Sequence, residues 1–231
     1  MSNARLQRLL GARLLGALLL VLVIATMATT GEALRWTMPH YIVKPLATIT
    51  VLLIAWTAES PVSARYRYAV VAGMLLSLVG DVLLMLPQNL FAAGLGAFLL
   101  AHCCYIFGFL GESRLLARPA VAMGFLAVAA VLLSVIFPSL PGPLRIPVVA
   151  YVGVITLMAI QSATWSREAP SAHARRAALG AVFFLVSDAT LAIARFRMDV
   201  PYRDIIVPVT YYIAQWCLAR SVSRRVEATS A

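Results

Sequence analysis

Two aspartates set in apolar surroundings are the residues of this chain whose type and placement suit acid–base chemistry. Asp81 lies in Leu78-Val79-Gly80-Asp81-Val82-Leu83-Leu84, inside an apolar run from Tyr68 to Leu86 that holds no cation to pair it. A carboxylate at the centre of a membrane helix costs roughly 2.5 to 3.5 kcal/mol on insertion scales, so it persists where it faces a polar cavity or a partner. Asp188 lies in a second such stretch, Leu185-Val186-Ser187-Asp188. Two carboxyls in unlike environments can divide the work of an acid and a base. A carboxyl buried among apolar groups also keeps its proton more readily than one in water.

The two stretches align. Gly73 to Leu84 superimposes on Gly180 to Leu191 with matches at Gly, Leu, Val, Asp and the final Leu, and Asp188 follows Asp81 by 107 residues (188 minus 81). At the same offset Tyr105-Ile106 falls on Tyr212-Ile213. An internal duplication is expected, with halves of about 1–117 and 118–231 sharing one core, as is common in membrane proteins built from repeats.

Such residues need helices to hold them, and composition fixes the class. With 62% hydrophobic and 12% charged residues in 231 and a mean hydropathy of +0.90, the chain carries more apolar surface than a soluble domain of this length can bury. An all-α polytopic membrane bundle of about eight helices follows, as two parallel four-helix repeats in a single transmembrane domain. A net charge of +10 is of the sign that nucleic acid attracts, but the arginines sit between apolar runs and form no basic face with interleaved aromatics. They read as topology signals. Cys103, Cys104 and Cys217 lie in apolar runs without zinc-like spacing and read as small buried hydrophobes.

The expected spans are Leu14 to Thr30, Tyr41 to Thr57, Tyr68 to Leu86, Leu90 to Leu110, Pro119 to Phe137, Ile146 to Trp165, Ala177 to Ala194 and Ile205 to Ala219. The first, preceded by Arg5, Arg8 and Arg13, resembles a signal peptide but is longer than a usual apolar core and lacks a small-residue cleavage site. Gly31, Glu32, Arg35, Trp36 and Pro39 form the loop to the second. Pro138, Pro141, Gly142 and Pro143 mark the sharpest break, between the halves. Gly73, Ser77 and Gly80 give the third span a small-residue stripe for close packing.

Other polar groups fall at the same levels. Lys44, the chain's lone lysine, precedes Pro45 in span two and shares a face with Tyr41 and Thr48. His102 and Tyr105 share a face of span four, and the short, proline-interrupted span eight carries Tyr211, Tyr212 and Gln215. Lysine and arginine number thirteen on the amino-terminal side of the spans against six on the other, which puts both termini in the cytoplasm. Four spans per half then set Asp81 and Asp188 at similar depth, about 8 to 9 Å below the outer boundary at 1.5 Å per residue. The expected result is a polar pocket open toward the non-cytoplasmic side, with the two carboxyls facing each other closely enough to share a water.

In Lys44-Pro45, Gly80-Asp81-Val82-Leu83-Leu84, Phe98 with Ala101-His102 and Tyr105, Ser187-Asp188, and Tyr211-Tyr212-Ile213-Ala214-Gln215, the chain resembles the YhhN family of integral membrane proteins, which includes the lysoplasmalogenases. The resemblance runs through spans two, three, four, seven and eight. It implies a multi-pass enzyme of the cell membrane, the inner membrane in a bacterium, that hydrolyses the vinyl ether bond of a lysophospholipid to a fatty aldehyde and a glycerophospho-base. Asp81 and Asp188 would be the catalytic pair, in either order. Lys44 would hold the phosphate as a point charge, and His102, Tyr105, Tyr211, Tyr212 and Gln215 would orient substrate or water. Neither a metal nor another cofactor is called for, and no nucleic acid partner. A proton-coupled transporter would share repeated halves and buried acids. An intramembrane aspartyl protease would carry a glycine two residues before its aspartate, where this chain has Val79.

Overall fold

A computed structural model describes residues 3–30 and 38–224. The 31–37 loop with Gly31, Glu32, Arg35 and Trp36, the side chains of Arg5, Arg8 and Arg13, and the tail beyond 224 lie outside the described residues. The described residues form eight α-helices: α1 (Asn3–Thr30), α2 (Met38–Trp56), α3 (Ala64–Met85), α4 (Phe91–Phe109), α5 (Pro119–Ile136), α6 (Gly142–Glu168), α7 (Ala172–Phe196) and α8 (Arg203–Ser221). Helices α2 to α7 are long and apolar enough to cross a membrane, while α1 holds a shorter apolar stretch, Leu14–Thr29. The protein is an all-α polytopic bundle.

The helices outrun their apolar runs where polar residues cap or anchor them. Ser63 accepts from the Tyr66 amide at 3.1 Å to start α3, and Ser171 accepts from the Ala174 amide at 3.2 Å to start α7. Each satisfies one of the amides a helix start leaves unpaired. Arg65, which no apolar count would place in a span, lies over the Phe107 ring at 4.1 Å and donates to the Phe107 carbonyl. Near its carboxyl end α6 is tied to the 110–118 loop by Gln161, whose amide nitrogen donates to Ser113 Oγ at 2.8 Å and the Arg114 carbonyl at 3.0 Å.

Helices α3 and α4 pack along each other, as do α7 and α8, and these are the two most extensive pairings. Helix α2 leans on α8, and α6 leans on α4. Helix α5 packs on α6 and α7, and its Met123, Leu126, Val128 and Val131 point outward as a lipid-facing surface would. The α3–α4 approach depends on the small residues of α3. A Cβ on Gly80 would fall 2.6 Å from the Phe98 ring, so glycine is what lets Phe98 lie across the helix beside Asp81. The cysteines are less enclosed than expected: Cys103 is exposed on the outer side of α4, and Cys104 and Cys217 are half-buried. Adjacent residues on a helix point about 100° apart, so an apolar run does not tell core from lipid face.

Candidate active site

The polar groups gather around one cavity of about 690 Å³ lined mainly by α2, α3, α4, α6, α7 and α8, with Thr26 of α1 and Leu132 of α5. It opens at the end of the bundle formed by the 86–90 and 197–202 connections, where Asn89, Arg195, Arg203 and Asp204 rim it. Asp81 and Asp188 both line it, as do Lys44, Tyr151, Tyr211 and Tyr212. Its apolar side is built from Leu95, Leu132, Val148, Val152 and Ala192.

Asp81 is only 2% exposed and is saturated by donors. Lys44 Nζ lies 3.1 Å from Oδ1, while Thr48 Oγ1 and Tyr211 Oη donate to Oδ2 at 2.8 and 2.7 Å. The expectation that Lys44 waits for a phosphate therefore meets a different fact: its ammonium is engaged by an aspartate on the neighbouring helix. The two side chains come from helices whose spacing along the chain no local periodicity reveals. Removing either partner from a buried ion pair leaves an uncompensated charge, which is why such pairs are costly to break.

Behind Asp81 the network continues away from the cavity. Gln215 Nε2 donates to Tyr211 Oη at 3.0 Å, and Tyr105 Oη reaches Gln215 Oε1 and Ser77 Oγ at 3.4 Å each. Tyr105 and Gln215 are fully buried and do not line the cavity; they hold Tyr211 in place. Tyr212 does line it, and its hydroxyl donates to the Lys44 carbonyl at 3.1 Å. That bond fastens α8 to the turn of α2 just before Pro45, whose ring removes a backbone donor from the helix.

Asp188 is more open, 17% exposed, with fewer partners. Tyr151 Oη donates to its Oδ2 in a short hydrogen bond, and His102 Nε2 lies 2.9 Å from the same hydroxyl and 3.6 Å from Oδ2. His102 is fully buried against Phe184, its Nδ1 without a partner among the described residues. Next to Asp188, Ser187 Oγ donates to the Val207 carbonyl at 3.1 Å, one residue before Pro208 interrupts α8.

Tyr151 is the site residue that reading the sequence missed. A tyrosine in an apolar span is ordinarily a packing or interface residue. A signal was nonetheless present, since Tyr151 follows Lys44 by the same 107 residues that separate Asp188 from Asp81. Arg195 was counted only as a topology charge, yet it closes the cavity rim, donating to Asn89 Oδ1 at 3.0 Å and stacking 4.0 Å over Phe91.

Comparison with known proteins gives the chain a family. The YhhN family model matches residues 39–222, which takes in helices α3 to α8 and nearly all of α2, but not α1, whose Thr26 also lines the cavity. An Escherichia coli protein described as uncharacterized membrane protein YhhN is 27% identical over 186 residues, 80% of this chain and 88% of its own length. Human lysoplasmalogenase TMEM86A is 33% identical over 154 residues, 64% of this chain and 62% of its own. A Mycobacterium bovis lysoplasmalogenase is 36% identical over 166 residues, 68% of this chain and 61% of its own. No solved structure matches the chain. The chain belongs to the YhhN family of membrane proteins.

Proposed function

We propose that the protein is a membrane-embedded hydrolase of lysoplasmalogens, cleaving the vinyl ether bond to a fatty aldehyde and a glycerophospho-base. The observation that carries this reading is the pair of carboxyls on one cavity in unlike settings, Asp81 among three donors and Asp188 open to the cavity with one hydroxyl donor. The lysoplasmalogenase relatives support the substrate class. The cavity suits a single-chain amphiphile, apolar along α5 and α6 and charged at its mouth.

In this reading Asp188 is the acid. Its proton passes to the β-carbon of the vinyl ether, and the double-bond electrons form the new C–H bond, leaving an oxocarbenium ion at the carbon bonded to the ether oxygen. Tyr151, backed by His102, keeps the Asp188 carboxyl aimed into the cavity and steadies the carboxylate left behind. Asp81 supplies a fixed negative charge to the cation, in the way preorganised groups stabilise charge that develops only in the transition state. Water then adds to the cation and gives a proton to Asp81, making a hemiacetal. On collapse the hemiacetal hydroxyl returns a proton to Asp188, the bond to the glycerol oxygen breaks, and Asp81 returns its proton to that oxygen. Both carboxyls end as they began.

The duplication belongs to the same proposal. Two copies of one four-helix unit would have begun with equivalent aspartates, and the change at one equivalent position, Lys44 in one half and Tyr151 in the other, would have separated their roles. Incubating the purified protein with lysoplasmalogen and with its saturated ether analogue tests the function. Aldehyde from the vinyl ether alone is the expected result, and release in D2O should leave one deuterium on the carbon next to the carbonyl. Aldehyde from neither lipid would favour a proton-coupled transporter.

A further inference from the structure

Once Lys44 is engaged by Asp81, the cation left for an anionic ligand at the cavity, among the described residues, is Arg195. Arg203, the other arginine on the rim, lies 3.4 Å from Asp199 and 3.7 Å from Asp204. Among the described residues no carboxylate lies within ion-pair reach of Arg195; its partners are the neutral Asn89 amide and the Phe91 ring. Those two contacts hold the guanidinium over the mouth without neutralising it, and a planar fork held in that way suits bidentate binding of a phosphate.

We infer that Arg195, steadied by Asn89 and Phe91, is the subsite for the phosphodiester of the lipid, and that its distance from Asp188 brings the β-carbon of the vinyl ether to the acid. This rests on the hydrolase reading. Asp188 and Arg195 stand seven residues apart on α7. At 3.6 residues per turn they share a face, separated by about 10.5 Å along the axis. In a lysoplasmalogen the β-carbon of the vinyl ether and the phosphorus are separated by seven covalent bonds, roughly 9 Å when extended. A phosphate on Arg195 therefore brings the vinyl ether to the level of Asp188. The alkenyl chain then has the apolar wall of Leu95, Leu132, Val148 and Val152 in the same cavity to lie against. Anchoring the remote end positions the reacting end, which is how distant binding contributes to rate.

The test is a comparison of dissociation constants that does not depend on turnover. A saturated ether lysophospholipid and the matching phosphate-free alkylglycerol are titrated into the wild-type protein and Arg195→Gln in detergent, with thermal unfolding checked for each. Wild type is expected to prefer the phospholipid, and Arg195→Gln to lose about tenfold to a hundredfold of that preference, the size of a lost charge-assisted bond. Arg195→Lys should recover part of it, since it keeps the charge without the fork. An unchanged preference in Arg195→Gln overturns the assignment, as does equal weakening of both ligands. Inorganic phosphate is the competitor: displacement only at millimolar levels supports a lipid-borne phosphate, and tight binding of the free ion overturns it. A protein that releases no aldehyde, yet shows the expected preference and its loss, would end the hydrolase reading while the phosphate subsite stands.

Discussion

Lys44 and Asp81 form an ion pair between α2 and α3, Nζ to Oδ1 at 3.1 Å, and Tyr151 makes the matching contact to Asp188 between α6 and α7. The residues correspond across the 107-residue offset, so one architecture gives one aspartate an ammonium and the other a phenol. An ammonium puts a full charge beside Asp81, whereas Asp188 meets the neutral Tyr151 hydroxyl with the His102 ring behind it. That difference is the physical basis for assigning Asp188 the acid role.

Lys44→Met should lower stability as well as turnover, because it leaves Asp81 buried without its counter-charge, a loss of about 3 to 5 kcal/mol. Adding Asp81→Asn to Lys44→Met should recover much of the melting temperature and none of the activity. Thermal unfolding in detergent, read beside aldehyde release, checks both. A Lys44→Met protein with wild-type stability and a raised KM alone would return Lys44 to the role of a phosphate ligand.

Tyr151→Phe removes the hydroxyl between Asp188 and His102 while keeping the ring. A hydrogen bond to a charged group is worth about 1.5 to 3 kcal/mol, so kcat should fall by roughly tenfold to a hundredfold. KM should stay near the wild-type value, because the lost contact is to the acid and not to the lipid. Steady-state kinetics on lysoplasmalogen separates the two parameters.

Tyr105→Phe is expected to be mild, within about threefold of wild-type kcat, since its hydroxyl makes only two long bonds, at 3.4 Å, and does not line the cavity. A large rise in KM on this change would show that Tyr105 meets the substrate.

Gly80→Ala tests the scaffold next to the acid pair. The added Cβ would fall 2.6 Å from Phe98, and overpacking of this kind costs about 1 to 3 kcal/mol. Differential scanning fluorimetry should report a lower melting temperature, and turnover should fall with it because Asp81 is the next residue.

The sequence reads the helices closely and the pairings poorly. Span eight, expected from Ile205 to Ala219, runs from Arg203 to Ser221, and span five, expected from Pro119 to Phe137, is helical from Pro119 to Ile136. Apolar length governs both. Span three begins at Ala64 and not Tyr68 because Ser63 caps it and the arginines of its first turns have partners outside the apolar run. Asp81 and Asp188 stood out because a charge in an apolar run needs a reason. Tyr151 did not, since a tyrosine there needs none, and the partner of Lys44 lies on another helix, where helical periodicity has no reach. Tyr105, His102 and Gln215 were legible as polar groups on inward faces. Which of them touch the cavity and which stand behind it is a matter of three-dimensional packing.

Aldehyde release from lysoplasmalogen by purified wild type, Asp81→Asn and Asp188→Asn bears most directly on the two-carboxyl site. Asparagine keeps the shape of each side chain and is cheaper to bury than a carboxylate. Each substitution should therefore leave a protein that inserts and purifies but has lost activity by about a hundredfold or more, the scale of general acid–base catalysis. The double mutant should be no worse than the poorer single, since residues acting as one unit are not additive. Wild-type turnover in Asp188→Asn would contradict its role as the acid, and wild-type turnover in Asp81→Asn would reduce Asp81 to an anchor for Lys44.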